Sequence, residues 1–499
     1  MSSTAMEGLH VLGPGDDVGV VVADGGAVPI GHKVAVRAVA KGQPVRKYGH
    51  VIGWATQDIA PGDHVHSHNL VFGEHADPDG GEPADQRTAP AELPMPGRRT
   101  FMGIRRSDGR AATRNVIAVV STVNCSATVC QQISSAVERE GLLDEFPTVD
   151  AVVPVTHTSG CGLSSDGGNL DRLRRTLAGY AGHANVGGLV VVALGCEVNQ
   201  MVDFMAQVPR RDDLPIVQLA IQDQGGTRST VAAGVAAVRE VAEQLRDVAR
   251  EPIDVSELVL GLNCGGSDGW SGITANPALG HASDLLVAAG GRSVLAETPE
   301  IYGAEDLLLE RAVNPQVAEK FQSLITRWER DVAASGDSLD NNPSPGNKAG
   351  GITTILEKSL GAASKSGHAP LAAVYEYAQA IDVPGLGFMD TPGYDPVSVT
   401  GLIAGGANVV VFTTGRGSAL GYALAPVIKV STNTPLYERM RDDMDLNAGD
   451  MITDGVSVES KGEEIYERIL DVASGQRTAS EDLGYGSQEF VPWLQGPVL

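Results

Sequence analysis

Residues Leu189-Val190-Val191-Val192-Ala193-Leu194-Gly195-Cys196-Glu197 decide the fold class. An unbroken apolar run this short, dense in β-branched residues and ended by glycine, reads as a strand buried on both faces. The same form recurs along the chain. Val152-Val-Pro-Val-Thr-His157-Thr-Ser-Gly-Cys161-Gly162 is one instance, residues 116–122 running into Asn124-Cys125 are another, and Leu258-Val-Leu-Gly-Leu-Asn-Cys264-Gly-Gly-Ser-Asp268 is a third. Helical periodicity lies between them, over 128–143, around 170–180 and over 231–250. Strand–helix alternation of this kind implies a largely parallel sheet with helices on both faces.

A second α/β region opens with the strand 257–262. It continues through helices near 283–289 and 315–333, a loop rich in Asn, Pro and Gly over 341–351, and strands at 372–375 and 408–412. The chain starts differently. Short β-like runs at 18–22, 33–39, 51–56 and 64–70, separated by turn residues, predict a small all-β module. The stretch rich in Asp, Gly, Pro and Glu after it lacks apolar periodicity and reads as an exposed linker. The expected organisation is a β domain over 1–74, a linker over 75–97, a first α/β domain over 98–252 and a second over 253–499.

With 37 basic against 62 acidic residues the net charge is −25, which argues against nucleic acid or an anionic membrane as partner. An anionic substrate would also be repelled at long range, so a local cluster of cations or a metal has to receive it. No charged-then-apolar segment opens the chain and no apolar run suits a membrane span. Five cysteines without the spacing of a secreted scaffold point to a reducing compartment, so the cytoplasm is expected.

Cys125, Cys161, Cys196 and Cys264 each follow the carboxyl end of an expected parallel strand, the edge where open α/β sheets bind ligands. Thiolates gathered there suit iron, alone or as a cluster. The alternative is that they pack as small apolar residues where strands meet helices. His157, four residues before Cys161, is a candidate ligand or acid–base group. His64, His66 and His68 alternate along an expected strand and so share one face, which suits a divalent metal or a polar edge. His32-Lys33 offers an acid–base group beside a cation. Asn347-Lys348 and Arg416 lie in Gly-rich turns fitted to an oxyanion, although neither turn has the glycine spacing of a nucleotide-binding loop. Arg105, Arg106, Arg110 and Arg114 form a basic island, read as a solvated turn.

The motifs in sequence resemble the altronate/galactarate dehydratase family, altronate dehydratases above all. Gly31-His-Lys-Val34 and Lys47-Tyr-Gly49 resemble its small SAF domain, and Arg105-Arg-Ser-Asp-Gly-Arg110 with Thr113-Arg-Asn115 the start of its main domain. Residues 157–162, Leu194-Gly-Cys-Glu197, Cys264 to Pro277, Pro343-Ser-Pro-Gly-Asn-Lys348 and Thr414-Gly-Arg-Gly417 are similar to it as well. His64-Val-His-Ser-His68 and Glu297-Thr-Pro-Glu-Ile-Tyr-Gly-Ala-Glu305 lean towards altronate. The resemblance implies removal of water from a sugar acid to give a 2-keto-3-deoxy acid, with Fe2+ as cofactor and Mn2+ or an iron–sulfur cluster as alternatives. It implies metal ligation at Cys161, Cys196, Cys264 and Cys125, with His64, His66 and His68 less central. Proton transfer would fall to His157 or His32, beside Lys33 and Lys348. Substrate would be held by Arg416, Asn347, Ser267, Asp268 and Asn276. Galactarate dehydration and a related lyase acting on sulfolactate are the enzymatic alternatives, and a sugar-acid sensor is the non-enzymatic one. A homodimer is the common state for an enzyme of this size.

Overall fold

A computed structural model describes residues 8–23, 26–73, 92–164 and 167–494. The α/β class and the all-β start follow the sequence reading. The first parallel sheet has the order Ala151–Val155, Val116–Ser121, Val186–Ala193, Ile216–Ala220. Helices Asn124–Arg139 and Thr227–Gln244 pack together on one face and Gly168–Ala181 covers the other.

The second parallel sheet has seven strands. Their order is Leu371–Tyr375, Gly385–Met389, Arg292–Leu295, Val259–Cys264, Val409–Thr414, Val427–Ser431, Leu446–Asn447. Later strands are added to both sides of Val259–Cys264, so the chain reverses direction across the sheet there. That strand's carboxyl end, occupied by Cys264, lies at the topological switch point where such sheets bind ligands.

The two sheets are locked side by side. Gly168–Ala181 crosses Asp395–Ala404 so closely that a side chain at Gly179 would overlap the Ala404 carbonyl. Their residues share one core, Leu177 and Val120 with Leu402 and Phe412. Of the basic island, Arg106 and Arg114 are buried and not solvated. Arg114 forms a two-toothed ion pair with Glu481 at 2.7 and 2.8 Å and caps the Val472 carbonyl at 2.8 Å. Arg106 donates to the Ala184 carbonyl and to Asn115 Oδ1.

The β module comprises two small antiparallel sheets. One orders Leu9–His10, Val18–Val21, Lys33–Ala35 and His64–Val65. The other orders Pro44–Lys47, His50–Ala55 and Leu70–Val71. The strand expected over 64–70 therefore ends at Val65. Asn69 Oδ1 accepts from the His66 N–H and turns the chain, so the histidines do not alternate along a strand. The linker expected over 75–97 lies mostly outside the described residues.

The module buries Val45, Ile52 and Leu70 in the same core as Leu262 and Leu279 of the larger domain. Glycines permit the approach. A Cβ at Gly269 or Gly351 would overlap the Gly31 carbonyl oxygen, and Gly31 itself has φ +82°. Charge fixes the register. Glu357, on the helix Ile355–Ala363, accepts from Lys33 Nζ at 2.7 Å and Lys47 Nζ at 2.9 Å, and all three groups are buried. Lys33 also reaches the Gly351 carbonyl and Thr353 Oγ1. Burial alone would raise the Glu357 carboxyl, but the two ammonium groups bring it down to about 2. Burial, with Lys47 close by, brings Lys33 down to about 8.

Glu357→Gln should cost about 3–5 kcal/mol, because it strands two buried ammonium groups. A carboxyl with a depressed pKa contributes stability that is complete above its ordinary value and lost as pH falls through its folded value. The gap between wild type and variant in urea unfolding should be full above pH 4.5 and close towards pH about 2. A gap independent of pH over that range would refute the assignment.

Candidate functional site

Three acidic groups meet at the switch point. Cys264 ends the central strand, and Glu297 and Glu300 follow the neighbouring strand Arg292–Leu295. Glu297 holds a left-handed backbone, φ +73°, and its N–H donates to Thr391 Oγ1 at 2.8 Å. That turn directs two carboxylates, three residues apart, at one sulfur. One oxygen or sulfur from each of Cys264, Glu297 and Glu300 lies within 4.8 Å of the others, and all three residues are buried. A non-glycine residue held in this backbone region costs energy and is characteristic of functional sites.

Two lysines flank the group. Lys365 Nζ is 2.7 Å from Cys264 Sγ and 3.5 Å from Glu297. Lys358 Nζ is 2.7 Å from Glu300 and 2.6 Å from Asn342 Oδ1. Ser267 Oγ lies 3.7 Å from the sulfur. Asp395 stands beside Gly265, where a side chain would collide with its carboxylate. Burial pushes the Cys264 thiol up to about 12. Burial and then Glu300 push Asp395 up to about 7, and the same two causes lift Glu297 well above the carboxylate range.

The donor set fits a divalent ion. Among the described residues Glu297 Oε1 is buried without a hydrogen-bond partner, the condition of a ligand atom awaiting a cation. If Cys264, Glu297, Glu300 and Asp395 all ionise, they exceed Lys358 and Lys365 by two negative charges, the charge of one such ion. A thiolate with two carboxylates suits a borderline metal more than Mg2+ or Ca2+. A small cleft beside the group is lined by Lys47 and Tyr48 of the β module with Ser267, Asn276, Glu357 and Lys358.

The other expected site residues distribute unevenly. Ser267 lines the cleft, and Lys348 is half-buried on a short helix, Pro345–Ala349, that forms within the loop expected over 341–351. Arg416 is exposed and lies over Gly266, on a loop paired to 264–268 through the Gly265 and Gly415 N–H groups. Asp268 is consumed by structure, accepting from Ser271, Thr432, Asn433 and the Trp270 N–H. Asn276 donates to the Gly361 carbonyl and accepts from Thr413 Oγ1. Asn347 donates to the Ser267 carbonyl and closes a capping box with Ser344. These three position the loops around the site.

His157 also acts locally. Its Nδ1 accepts from the Ser159 N–H, so Nε2 carries the proton and donates to the Ser121 carbonyl, at 3.1 Å in each case. Burial brings its pKa down to about 4. Neither nitrogen is available for proton transfer. His32 contacts His64 Nε2 at 3.1 Å and the Ala349 carbonyl at 3.2 Å, while His66 contacts the Lys348 carbonyl at 2.9 Å. His68 lies against this group, its ring tilted 48° to that of His64 at a 5.4 Å separation. The histidines thus bind the β module to 348–349. Lys33 is tied up by Glu357. Cys125, Cys161 and Cys196 are exposed on the four-stranded sheet, away from the set that contains Cys264. The expectation of one four-cysteine site gives way to a Cys–Glu–Glu group.

Glu297, Glu300, Lys358, Lys365 and Asp395 were not singled out from the sequence as site residues. Two signals were present. Glu297-Thr-Pro-Glu300 follows an apolar run in the manner of the cysteine turns, and Lys358 and Lys365 are two helical turns apart.

Three family models match in chain order: Altronate/galactarate dehydratase SAF domain over residues 10–73, D-galactarate dehydratase/Altronate hydrolase, second domain, over 103–246, and D-galactarate/Altronate dehydratase, C-terminal, over 255–498. The chain is 36% identical to an altronate dehydratase of Bacillus subtilis (strain 168), covering 94% of this chain and 91% of that one. It is 36% identical to an altronate dehydratase of Escherichia coli (strain K12), covering 90% and 89%. It is 35% identical to a galactarate dehydratase (L-threo-forming) of the same organism, covering 92% and 89%. With these matches spanning nearly its whole length, the chain belongs to the altronate/galactarate dehydratase family.

Proposed function

We propose that this protein is a hydro-lyase that converts a sugar acid, altronate first, to its 2-keto-3-deoxy acid at the Cys264–Glu297–Glu300 group. The observation that carries this reading is the unpartnered Glu297 Oε1 within a compact, buried donor set at the switch point. Elimination has two requirements. The proton alpha to the carboxylate is weakly acidic, and the β-hydroxyl leaves poorly without an acid. Cys264, Glu297 and Glu300 would hold an Fe2+ ion, or Mn2+ in its place, which would supply Lewis-acid charge for both.

The chain's own groups perform the remainder. Asp395, with a carboxyl near neutrality in pKa, is suited to take the alpha proton or return one to the departing hydroxyl. Lys358 and Lys365 stay protonated and keep Glu300 and the Cys264 sulfur fixed. Lys348, on the helix Pro345–Ala349, and Arg416, on the loop after the strand Val409–Thr414, receive the substrate carboxylate and overcome the repulsion of an acidic protein, bidentate pairing being the strength of Arg. Because Ser267 donates towards the sulfur, it orients the thiolate and not the sugar acid. Among the described residues no helix is long and apolar enough to cross a membrane, and all five cysteines are free. We place the reaction in the cytoplasm.

Protein purified anaerobically and supplied with Fe2+ should release a 2-keto-3-deoxy acid from a panel of altronate, galactarate and sulfonated hydroxy acids, fastest from altronate. Absence of product from every sugar acid, or turnover indifferent to chelation, would sink the reading. Glu297→Gln and Cys264→Ser should each lower turnover by at least about 100-fold, since even groups behind a metal ligand are worth 10–100-fold in activity. Arg416→Ala should mainly raise KM, by about 10-fold or more, as expected for loss of a charged hydrogen bond. Equal kinetics in Arg416→Ala and wild type would remove it from the substrate.

A further inference from the structure

Asp390 is a buried acidic residue that the elimination chemistry leaves unused. It follows the strand Gly385–Met389, which pairs in parallel with Arg292–Leu295, so it leaves the sheet at the same carboxyl edge as the Glu297–Glu300 turn. Both of its oxygens are taken. Oδ1 accepts from Thr298 Oγ1 at 2.8 Å and from Trp328 Nε1 at 2.9 Å, and Oδ2 accepts from the Arg327 guanidinium at 2.5 Å. Asp390 stands outside the group formed by Cys264, Glu297 and Glu300, and its route to that group runs through Thr298.

The route is short. A non-glycine residue at φ +73°, as Glu297 is, persists only where its surroundings over-determine it. Here Asp390 and Thr391 do so. The Glu297 N–H donates to Thr391 Oγ1 at 2.8 Å, the Thr298 N–H donates to the Thr391 carbonyl at 3.0 Å, and Thr298 Oγ1 donates to Asp390. The last of these ends on a side chain ion-paired to Arg327, and hydrogen bonds to charged groups are the stronger kind.

The donors to Asp390 are themselves held from outside. Arg327 and Trp328 are successive residues of the helix Pro315–Ala334. The Trp328 ring stacks on that of Trp493, with 10° between the planes and 5.6 Å between centres. Arg327 lies 6.0 Å from the Trp493 ring centre and Arg172, from the helix Gly168–Ala181, lies 4.8 Å from it. Stacking and cation–π attraction both favour such neighbours for an indole. The segment that carries Trp493 is fastened in turn. Thr400 Oγ1 accepts from the Val491 N–H at 3.0 Å and donates to the Glu489 carbonyl at 3.3 Å, and Phe490 meets Tyr180 edge-on at 4.4 Å.

We infer that Asp390 is a positioning residue of the Cys264–Glu297–Glu300 group, and that the C-terminal segment 489–493 holds it in place through Trp493 and Trp328. The inference rests on the reading of that group as a metal site. Asp390 acts through Thr298, keeping Glu297 in the left-handed backbone from which both carboxylates reach one sulfur.

The Mn2+ affinity of the full chain, read from the paramagnetic resonance of the free ion and independent of turnover, tests this. Thr298→Val keeps the shape of the side chain and removes its hydroxyl. It should raise the Kd by about 10-fold or more, the scale of a lost partner behind a metal ligand, while Thr298→Ser stays within about 2-fold of wild type. Asp390→Ala should raise the Kd at least as much, and adding Thr298→Val to it should change nothing further, because both remove one link. Trp493→Ala should raise it by about 2-fold or more, the scale of one aromatic pair. If Asp390→Ala does not fold, the two Thr298 variants decide alone. An unchanged Kd in Thr298→Val, an equal loss in Thr298→Ser, or additive losses in the double variant would overturn the role of Asp390. An unchanged Kd in Trp493→Ala would overturn that of the C-terminal segment. Glu297→Gln, measured alongside, separates the two levels of failure. If it loses Mn2+ while the Thr298 and Asp390 variants do not, the positioning role alone falls. If it binds Mn2+ like wild type, the metal site of the proposed function falls and the positioning role with it.

Discussion

Everything at the switch point depends on a buried charge triplet, Lys33–Glu357–Lys47. Three ionised groups withdrawn from water are costly unless each is closely matched, and here two lysines from the β module converge on one carboxylate of the larger domain. The match holds the module and the helix Ile355–Ala363 in one register. The same helix carries Lys358 to Glu300, and the turn after it carries Lys365 to Cys264. Docking of the module and assembly of the Cys264–Glu297–Glu300 group are thus parts of one network. Lys33 and Cys264 are linked through contacts with one helix and the turn that follows it.

Strain is concentrated at the same place. Of the three described non-glycine residues with positive φ, Glu297 belongs to the Cys264 group and Tyr48 lines the adjoining cleft. Each requires surrounding packing to hold it. For Tyr48 the packing comes from Lys47, whose ammonium lies 4.6 Å from its ring centre, and from Gly272, which leaves space for the hydroxyl. A site assembled from strained backbone and partly protonated acids has lost stability that binding of a cation would restore.

The sequence made the strands and their carboxyl edges legible, because buried parallel strands are written as short apolar runs ended by glycine. It did not show which edge belongs to which sheet. Cys264 resembled the other three cysteines in local pattern, yet it ends a strand of the seven-stranded sheet, and its neighbours are carboxylates contributed by Glu297 and Glu300. Those two were hidden because acidic residues in loops are ordinarily solvated, and burial is a tertiary property. Arg106 and Arg114 were misread for the same reason, since four arginines around Asp108-Gly109 have the composition of a surface turn. The histidines deceived through geometry. An i, i+2, i+4 spacing shares a face only on a strand, and Asn69 ends the strand at Val65.

The seam between the β module and the larger domain has a consequence for chain connectivity. It is built from the charge triplet, from the close approach of Gly31 to Gly269 and Gly351, and from apolar residues shared by one core. None of these contacts involves residues 74–91, which join the two parts in sequence. Joining the two parts in one chain supplies effective concentration. Phe72 against Tyr302 and Leu93 against the shared core add to the seam from either side of that stretch. Two polypeptides, one ending at Gly73 and the other starting at Glu92, would carry the charge triplet, the glycine approach and the shared core alike.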